Sequence, residues 1–222
     1  MKKFLTVFVL LLSLLTIGCA EKPATDDRVT YRQTTSLYGQ EGVYRLCIRS
    51  GSAEVNPTAD GTKGQMENFT IISLRVVGAT ADNEEYSYRF RIAERDYEGQ
   101  FVRDRFGSSC TAELDSSIPV DQLTAVTVIC KDTETVVPVE DMMEDLVIDG
   151  DKALELALKE MKTDLEAEEK EGLTREIHLK FINDGHNPSS KYYWYVAFIR
   201  SDAPYWAVLI DPDTGDVVAK RK

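Results

Sequence analysis

The stretch EEYSYRFRIA, residues 84–93, sets the fold class because its apolar and polar residues alternate with a period of two. This alternation predicts a half-buried strand with one apolar and one cationic face. Three further runs carry a β signature: Tyr44–Ile48, Phe69–Val77 and Thr124–Cys130. Turn residues separate the runs, so residues 29–140 are predicted to form a β-rich antiparallel domain, either a sandwich or a small barrel.

The segment Ser50–Glu67 interrupts this pattern, because it is rich in turn residues and nearly lacks large apolar ones. Connections between strands usually contain about two to six residues. A longer one is either functional or a mobile excursion of a hairpin. We favour the mobile excursion, since its polar residues show no arrangement typical of ligand binding.

The period changes at Asp149, where an amphipathic helix is predicted to begin. Apolar residues then recur four positions apart at Ala153, Ala157, Met161 and Leu165. Asp149 is the candidate N-cap of this helix, and Gly172 is predicted to end it. Residues 141–148, which precede the helix, are read as an acidic linker.

Three strands and a short return strand are predicted after the helix: Thr174–Ile182, Tyr192–Arg200, Tyr205–Ile210 and Val217–Ala219. One helix lying on an antiparallel sheet is the economical way to bury both apolar faces. Residues 149–222 are therefore predicted to form a second domain of the α+β class.

Three motifs in this second region carry a family resemblance: ALELAL at 153–158, YWYVAF at 193–198 and WAVLIDPDTGDVV at 206–218. They resemble a PepSY-like domain, most specifically in the ending V-x-I-D-x-x-T-G-x-V. The resemblance implies a cystatin-like fold and modulation of secreted or envelope peptidases. No peptidase follows in this sequence, so we expect any such action in trans.

The first residues have the pattern of a bacterial export signal. Lys2 and Lys3 precede the apolar run Phe4–Ile17, which is shorter than the roughly 20 residues that a bilayer span needs. The residues LTIGC at 15–19 resemble the lipobox of bacterial lipoproteins. The resemblance implies a signal peptide at 1–18 and attachment of lipid, such as palmitate chains, to Cys19.

The resemblance to a lipobox predicts a location outside the cytosol. Two acyl chains hold a protein durably, so Cys19 would anchor the chain in lipid at the extracytoplasmic face of the cell membrane, with residues 19–28 as a tether. The alternative is ordinary secretion, with Cys19 merely nearby.

The charge balance limits the partners. The chain of 222 residues has 26 Lys and Arg against 38 Asp and Glu, a formal net charge of −12. Because phosphate backbones require a basic surface, nucleic acid is excluded as a partner. Apart from membrane lipid, an envelope or secreted protein is the expected partner.

The sequence carries few residues suited to catalysis. Its two histidines, His178 and His186, belong to no zinc-peptidase motif, and neither G-x-S-x-G nor a phosphate-binding loop is present. His178 is read as a residue on a solvated strand face and His186 as a turn residue. The Asp211–Gly215 segment lacks the spacing of a calcium loop. We therefore expect no enzyme activity, no metal and no cofactor.

Three cysteines remain besides Cys19, namely Cys47, Cys110 and Cys130. An odd number leaves at least one thiol unpaired. Cys110 and Cys130 are the candidates for a disulfide, since they could face each other across neighbouring strands. Three reduced thiols are nearly as well supported.

The remaining functional candidate is a surface around Tyr192–Ile199, where residues of both strand phases are apolar or aromatic. One helix covers only one sheet face, so the other face either packs on the β domain, which we favour, or meets a partner. The candidate contact residues are Tyr193, Tyr195 and Trp206, with Tyr205 as an alternative to Trp206. A noncovalent binding module is thus the leading function, ahead of a structural envelope component and of a hydrolase.

Overall fold

The computed structural model describes residues 25–78, 84–104, 109–183 and 191–222. The expected signal peptide at 1–18, Cys19, most of the expected tether and His186 lie outside these residues. Within them, two short 3-10 helices occur at Thr25–Arg28 and Val120–Gln122, and the single α-helix is α1, Gly150–Lys170. The strands are β1 (Val29–Glu41), β2 (Tyr44–Glu54), β3 (Met66–Val76), β4 (Tyr86–Ile92), β5 (Arg95–Gln100), β6 (Val102–Arg103), β7 (Ser109–Leu114), β8 (Ala125–Cys130), β9 (Thr133–Pro138), β10 (Glu140–Asp141), β11 (Glu176–Ile182), β12 (Tyr193–Arg200), β13 (Ala203–Ile210) and β14 (Val217–Arg221).

Ten strands form one long sheet. Nine of them lie in the order β14-β13-β12-β11-β1-β2-β3-β7-β6, and β10 pairs with β1. The contact between β1 and β11 is parallel, with Val29 opposite Ile177 and Arg32 opposite Leu179, whereas the other pairings are antiparallel. Strands from both sides of Asp149 therefore share one sheet.

A second sheet, in the order β5-β4-β8-β9, packs on the part of the long sheet that β1, β2, β3 and β7 form. The apolar residues of the EEYSYRFRIA stretch alternate as predicted: Tyr86, Tyr88, Phe90 and Ile92 are all buried. They share one hydrophobic core with Leu46 and Ile72 of the long sheet, both of which are completely buried. The prediction of a sheet-dominated fold is confirmed, and two facing sheets make this part a sandwich.

Helix α1 has the predicted bounds. The Asp149 carboxylate accepts a hydrogen bond from the Lys152 amide at 2.8 Å, which satisfies one of the free amides of the first turn. Gly172 has a φ of +77°, a backbone conformation that glycine adopts without steric cost, and the chain leaves the helix there. Both end residues act as the sequence predicted.

A second hydrophobic core lies between α1 and strands β11, β12 and β13. Ala153, Ala157 and Met161 of the helix are completely buried, and so are Val196 and Phe198 of the sheet. Burial of each large side chain contributes about 1.5–3 kcal/mol. Nearly all residues of this core follow Asp149, whereas those of the first core precede it. The described residues thus form two cores on one continuous sheet.

The helix and the second sheet cover the same face of the long sheet. Arg32 forms an ion pair with Asp151 at the start of α1, and it lies opposite Ser52 in β2. Ser52 shares a strand face with Ile48, which belongs to the first core. Within the described residues, neither a helix nor a second sheet covers the opposite side, which we call the outer face.

The connection between β2 and β3 is shorter than the sequence predicted. The strands extend to Glu54 and from Met66, so residues 55–65 form the loop rather than Ser50–Glu67. The Ser201 amide donates to the Ala59 carbonyl at 2.9 Å, and the Gly61 amide donates to a Glu176 carboxylate oxygen at 3.4 Å. The loop is thus held against the C-terminal strands and is no free excursion.

Candidate interaction surface

The alternation of side chains in β12 separates the aromatic residues of this strand into two sets. Trp194 and Phe198 point towards α1 and are 1 % and 0 % exposed. Tyr193 and Tyr195 belong to the outer face and are half-buried. Strand β12 therefore contributes core side chains on the α1 side of the sheet and two tyrosines on the outer face.

Tyr195 contributes to an apolar groove of about 260 Å³ on the outer face of β12, β13 and β14. Leu209 stands opposite Tyr195 in the ladder, and Ala219 stands opposite Leu209, so these three side chains form a row across the sheet. The full lining is Ile182, Tyr195, Tyr205, Ala207, Leu209, Ala219, Lys220 and Arg221.

A cation and a second tyrosine form one wall of this groove. The guanidinium of Arg221 lies 4.1 Å from the centre of the Tyr205 ring and donates a hydrogen bond to its hydroxyl. Burial raises the pKa of Tyr195, and the adjacent Tyr205 raises it further. Tyr195 is therefore neutral at physiological pH, and both tyrosines offer apolar rings with polar ends.

The placement of Trp206 on the same surface as Tyr195 was wrong. Trp206 stands opposite Phe198 and packs against the second core, on the α1 side of the sheet. There the Arg175 guanidinium stacks 3.6 Å from its ring centre. Tyr205, the alternative, lies on the outer face because successive residues of a strand point to opposite sides.

Tyr193 shares the outer face with Tyr195 but lies outside the groove. It is the first residue of β12, it stands opposite Ile182, and it is not part of the lining. Of the three candidate contact residues, only Tyr195 lies in the groove. The strand phase in the sequence was enough to exclude Trp206 from this face.

The cysteine geometry differs from the sequence expectation. Cys110 lies on β7 of the long sheet and Cys130 on β8 of the second sheet, so they are not on neighbouring strands. Burial raises the pKa of both thiols, and Cys130 contacts the Glu84 carboxylate at 3.5 Å. Cys47, Cys110 and Cys130 are all free thiols.

His178 lies on the outer face, as its strand phase predicted, but it is half-buried there rather than fully solvated. Its ring centre is 5.6 Å from that of Tyr31, which occupies the adjacent parallel strand β1. Burial and, to a lesser extent, the nearby Lys180 lower the pKa of His178 to about 4. The imidazole is therefore neutral at physiological pH and packs against the Tyr31 ring.

The carboxyl group of Glu176 has a raised pKa, which is also common among catalytic acids. Glu176 is completely buried, and burial raises its pKa. Its two oxygens accept hydrogen bonds from Thr30 Oγ1 at 3.0 Å and from the Gly61 amide. Since no part of its surface reaches solvent, its geometry suits a structural contact between β1, β11 and the loop at 55–65.

The part of the chain that the structure describes contains no group of three or more His, Cys, Asp or Glu residues placed to hold a metal ion. None of its helices has both the length and the apolarity that a bilayer crossing requires. Comparison with known proteins gives no relative: no family model, curated protein or solved structure matches the chain significantly.

Proposed function

We propose that the protein is an exported lipoprotein that binds another protein through the groove between Tyr195 and Tyr205. The observation that carries the proposal is this apolar, aromatic groove on a sheet face away from both cores. Tyrosine rings are common anchors of protein interfaces, because they bury large areas while the hydroxyl keeps a hydrogen bond. The lipobox at residues 15–19 supports an anchor at Cys19 on the extracytoplasmic side of the membrane.

The partner that best suits this reading is an envelope or secreted peptidase. Residues 149–222 would form a PepSY-like, cystatin-like module, and the packing of α1 on β11–β13 supports such a module. Its action would be inhibition or assisted folding of the peptidase in trans. The protein itself would contribute binding energy and no chemical step.

Copurification tests the proposal directly. The full-length chain with a C-terminal affinity tag is expressed in a bacterium that makes it, and detergent-solubilised membranes are analysed for copurified proteins. Tyr205→Asp places a charge in the groove wall at a residue that is 37 % exposed, and we expect it to lose the partner. Val136→Asp, at a residue of the second sheet that is 58 % exposed, is the matched control and retains it.

Fractionation tests the anchor separately. We expect Cys19→Ser to move the protein from the particulate to the soluble fraction, because the acyl chains supply most of the membrane affinity. Equal retention of both forms contradicts the lipid anchor. Absence of any copurified protein above a tag-only control contradicts the binding function and favours a structural role in the envelope.

A further inference from the structure

Strand β14 forms one end of the long sheet. Among the described strands it pairs with β13 alone, and all five of its residues are exposed. An edge strand carries backbone amides and carbonyls that no neighbour satisfies, and these can accept one more strand. The other end of the same sheet is β6, which has only two residues and offers little edge for pairing.

The basic residues at this edge are divided between the two sides of the sheet. On the α1 side, the Lys220 ammonium pairs with Glu160 at 2.9 Å and the Lys222 ammonium pairs with Asp164 at 2.5 Å. Arg221 lies on the outer face, and no described carboxylate pairs with it. Its guanidinium contacts Tyr205 instead, beside the apolar groove.

We infer that β14 accepts an extended acidic segment of the partner as an added strand. Apolar side chains on one face of that segment would enter the groove beside Leu209 and Ala219, and a carboxylate two residues farther along the same face would pair with Arg221. In this mode the main-chain hydrogen bonds supply affinity, and pockets for alternate side chains supply specificity. The inference rests on the proposed binding function and names the type of segment that is bound.

Charge argues for this occupant over a second copy of the chain. A parallel, in-register pairing of two copies of β14 would bring Lys220, Arg221 and Lys222 close to the same residues, and like charges on paired strands are destabilising. An acidic strand meets the same edge with opposite charge. Like charge therefore disfavours this self-pairing, and Arg221, which pairs with no described carboxylate, favours an acidic partner.

Another edge strand, β5, lacks this selectivity. Arg95 stacks over Tyr97 at 5.1 Å, which repeats the pair of Arg221 and Tyr205. However, Asp96 and Glu98 lie on the same strand, and they repel an acidic segment. Arg95 is therefore the matched control for Arg221, since the same substitution changes the net charge equally and breaks a similar stack.

Fluorescence anisotropy measures the interaction with a defined probe, a fluorescein-labelled octapeptide with the sequence Thr-Val-Thr-Val-Thr-Glu-Thr-Glu, whose valines and glutamates share one strand face. We expect the full-length protein in detergent to bind this peptide and Arg221→Glu to bind it roughly tenfold more weakly. Arg95→Glu is expected to bind like the unmodified chain. An octapeptide with lysine in place of glutamate is expected not to bind.

Two methylated peptides distinguish strand addition from side-chain docking. Each keeps every side chain and carries N-methyl groups on alternate amides, one set for each edge of the peptide. An added strand donates from one edge only, so one methylated peptide must lose binding and the other must keep it. Equal binding by both, or no binding of the parent peptide, overturns the inference.

The failure of this inference is separable from the failure of the proposed function. A partner that copurifies with the unmodified chain, is lost with Tyr205→Asp and is kept with Arg221→Glu overturns strand addition and leaves the binding function intact. A chain without any copurified partner overturns the binding function itself.

Discussion

Arg175 connects the end of α1 with the sheet, and its replacement by methionine tests how that connection stabilises the C-terminal region. Its side chain is 2 % exposed. Nε and Nη2 donate to the two Glu168 oxygens at 2.6 and 2.7 Å, and Nη1 donates to the Pro204 carbonyl at 2.9 Å. The guanidinium also stacks on Trp206.

The magnitude follows from these contacts. Removal of one partner of a buried ion pair costs about 3–5 kcal/mol when the remaining charge is left uncompensated. Glu168 keeps the Arg200 guanidinium at 3.0 Å and is 17 % exposed, so its charge stays partly compensated. We therefore expect Arg175→Met to lower the free energy of unfolding by about 3 kcal/mol, at the lower end of that range. Arg175→Lys keeps the charge but not the two-pronged contact, and we expect a loss of about 1–2 kcal/mol.

Urea unfolding followed by tryptophan fluorescence and by circular dichroism measures both values. Both tryptophans contribute to the fluorescence, and Trp206 contacts the replaced side chain, whereas the circular dichroism signal reports on the whole chain. Arg200→Met is the companion variant, because Arg200 contacts the same carboxylate and is 15 % exposed. A loss below about 1 kcal/mol for Arg175→Met, the size of an exposed ion pair, would refute the reasoning.

Three further predictions concern pH and the loop at 55–65. Burial raises the pKa of Glu176, so the folded chain holds this proton more tightly and loses stability as the pH rises above about 4.5. We expect Glu176→Gln to remove that loss, which urea titrations at successive pH values measure. Burial lowers the pKa of His178 to about 4, so the free energy of unfolding falls as the pH drops from 6.5 towards 4. We expect an NMR titration midpoint near 4 for its imidazole and a smaller loss of stability in acid for His178→Gln. Gly61 has a φ of +87°, and an added Cβ would lie 2.1 Å from Thr174 Oγ1, so Gly61→Ala should cost about 1–3 kcal/mol, more than Gly42→Ala, where nothing lies within 4 Å.

Local patterns in the sequence predicted the individual elements well. The period of two in residues 84–93 marks β4, and the apolar spacing after Asp149 marks α1, because these periods follow from the backbone geometry of strands and helices. Asp149 and Gly172 mark the helix ends for the same local reason. Each of these signals lies within about twenty residues of chain.

The features that the sequence did not predict depend on contacts between distant residues. The parallel pairing of Val29 with Ile177 joins strands on both sides of α1, and no periodicity encodes it. The position of Cys110 and Cys130 in different sheets depends on the same long-range pairing. The prediction for Trp206 was wrong for another reason. Trp206 shares its strand phase with Val208 and Ile210, which belong to the second core, so this phase predicts the α1 side of the sheet.

The central position of β1 has a mechanical consequence. This strand is the first of the described strands, yet it lies between β2 and β11 in the interior of the sheet. Tension applied at the N-terminal end of β1 would act along the strand and would stress its hydrogen bonds to β2 and to β11 at the same time. Such shear requires many hydrogen bonds to fail at once, whereas an outermost strand is peeled away one bond at a time. A protein held by its leading end would thereby resist being pulled apart.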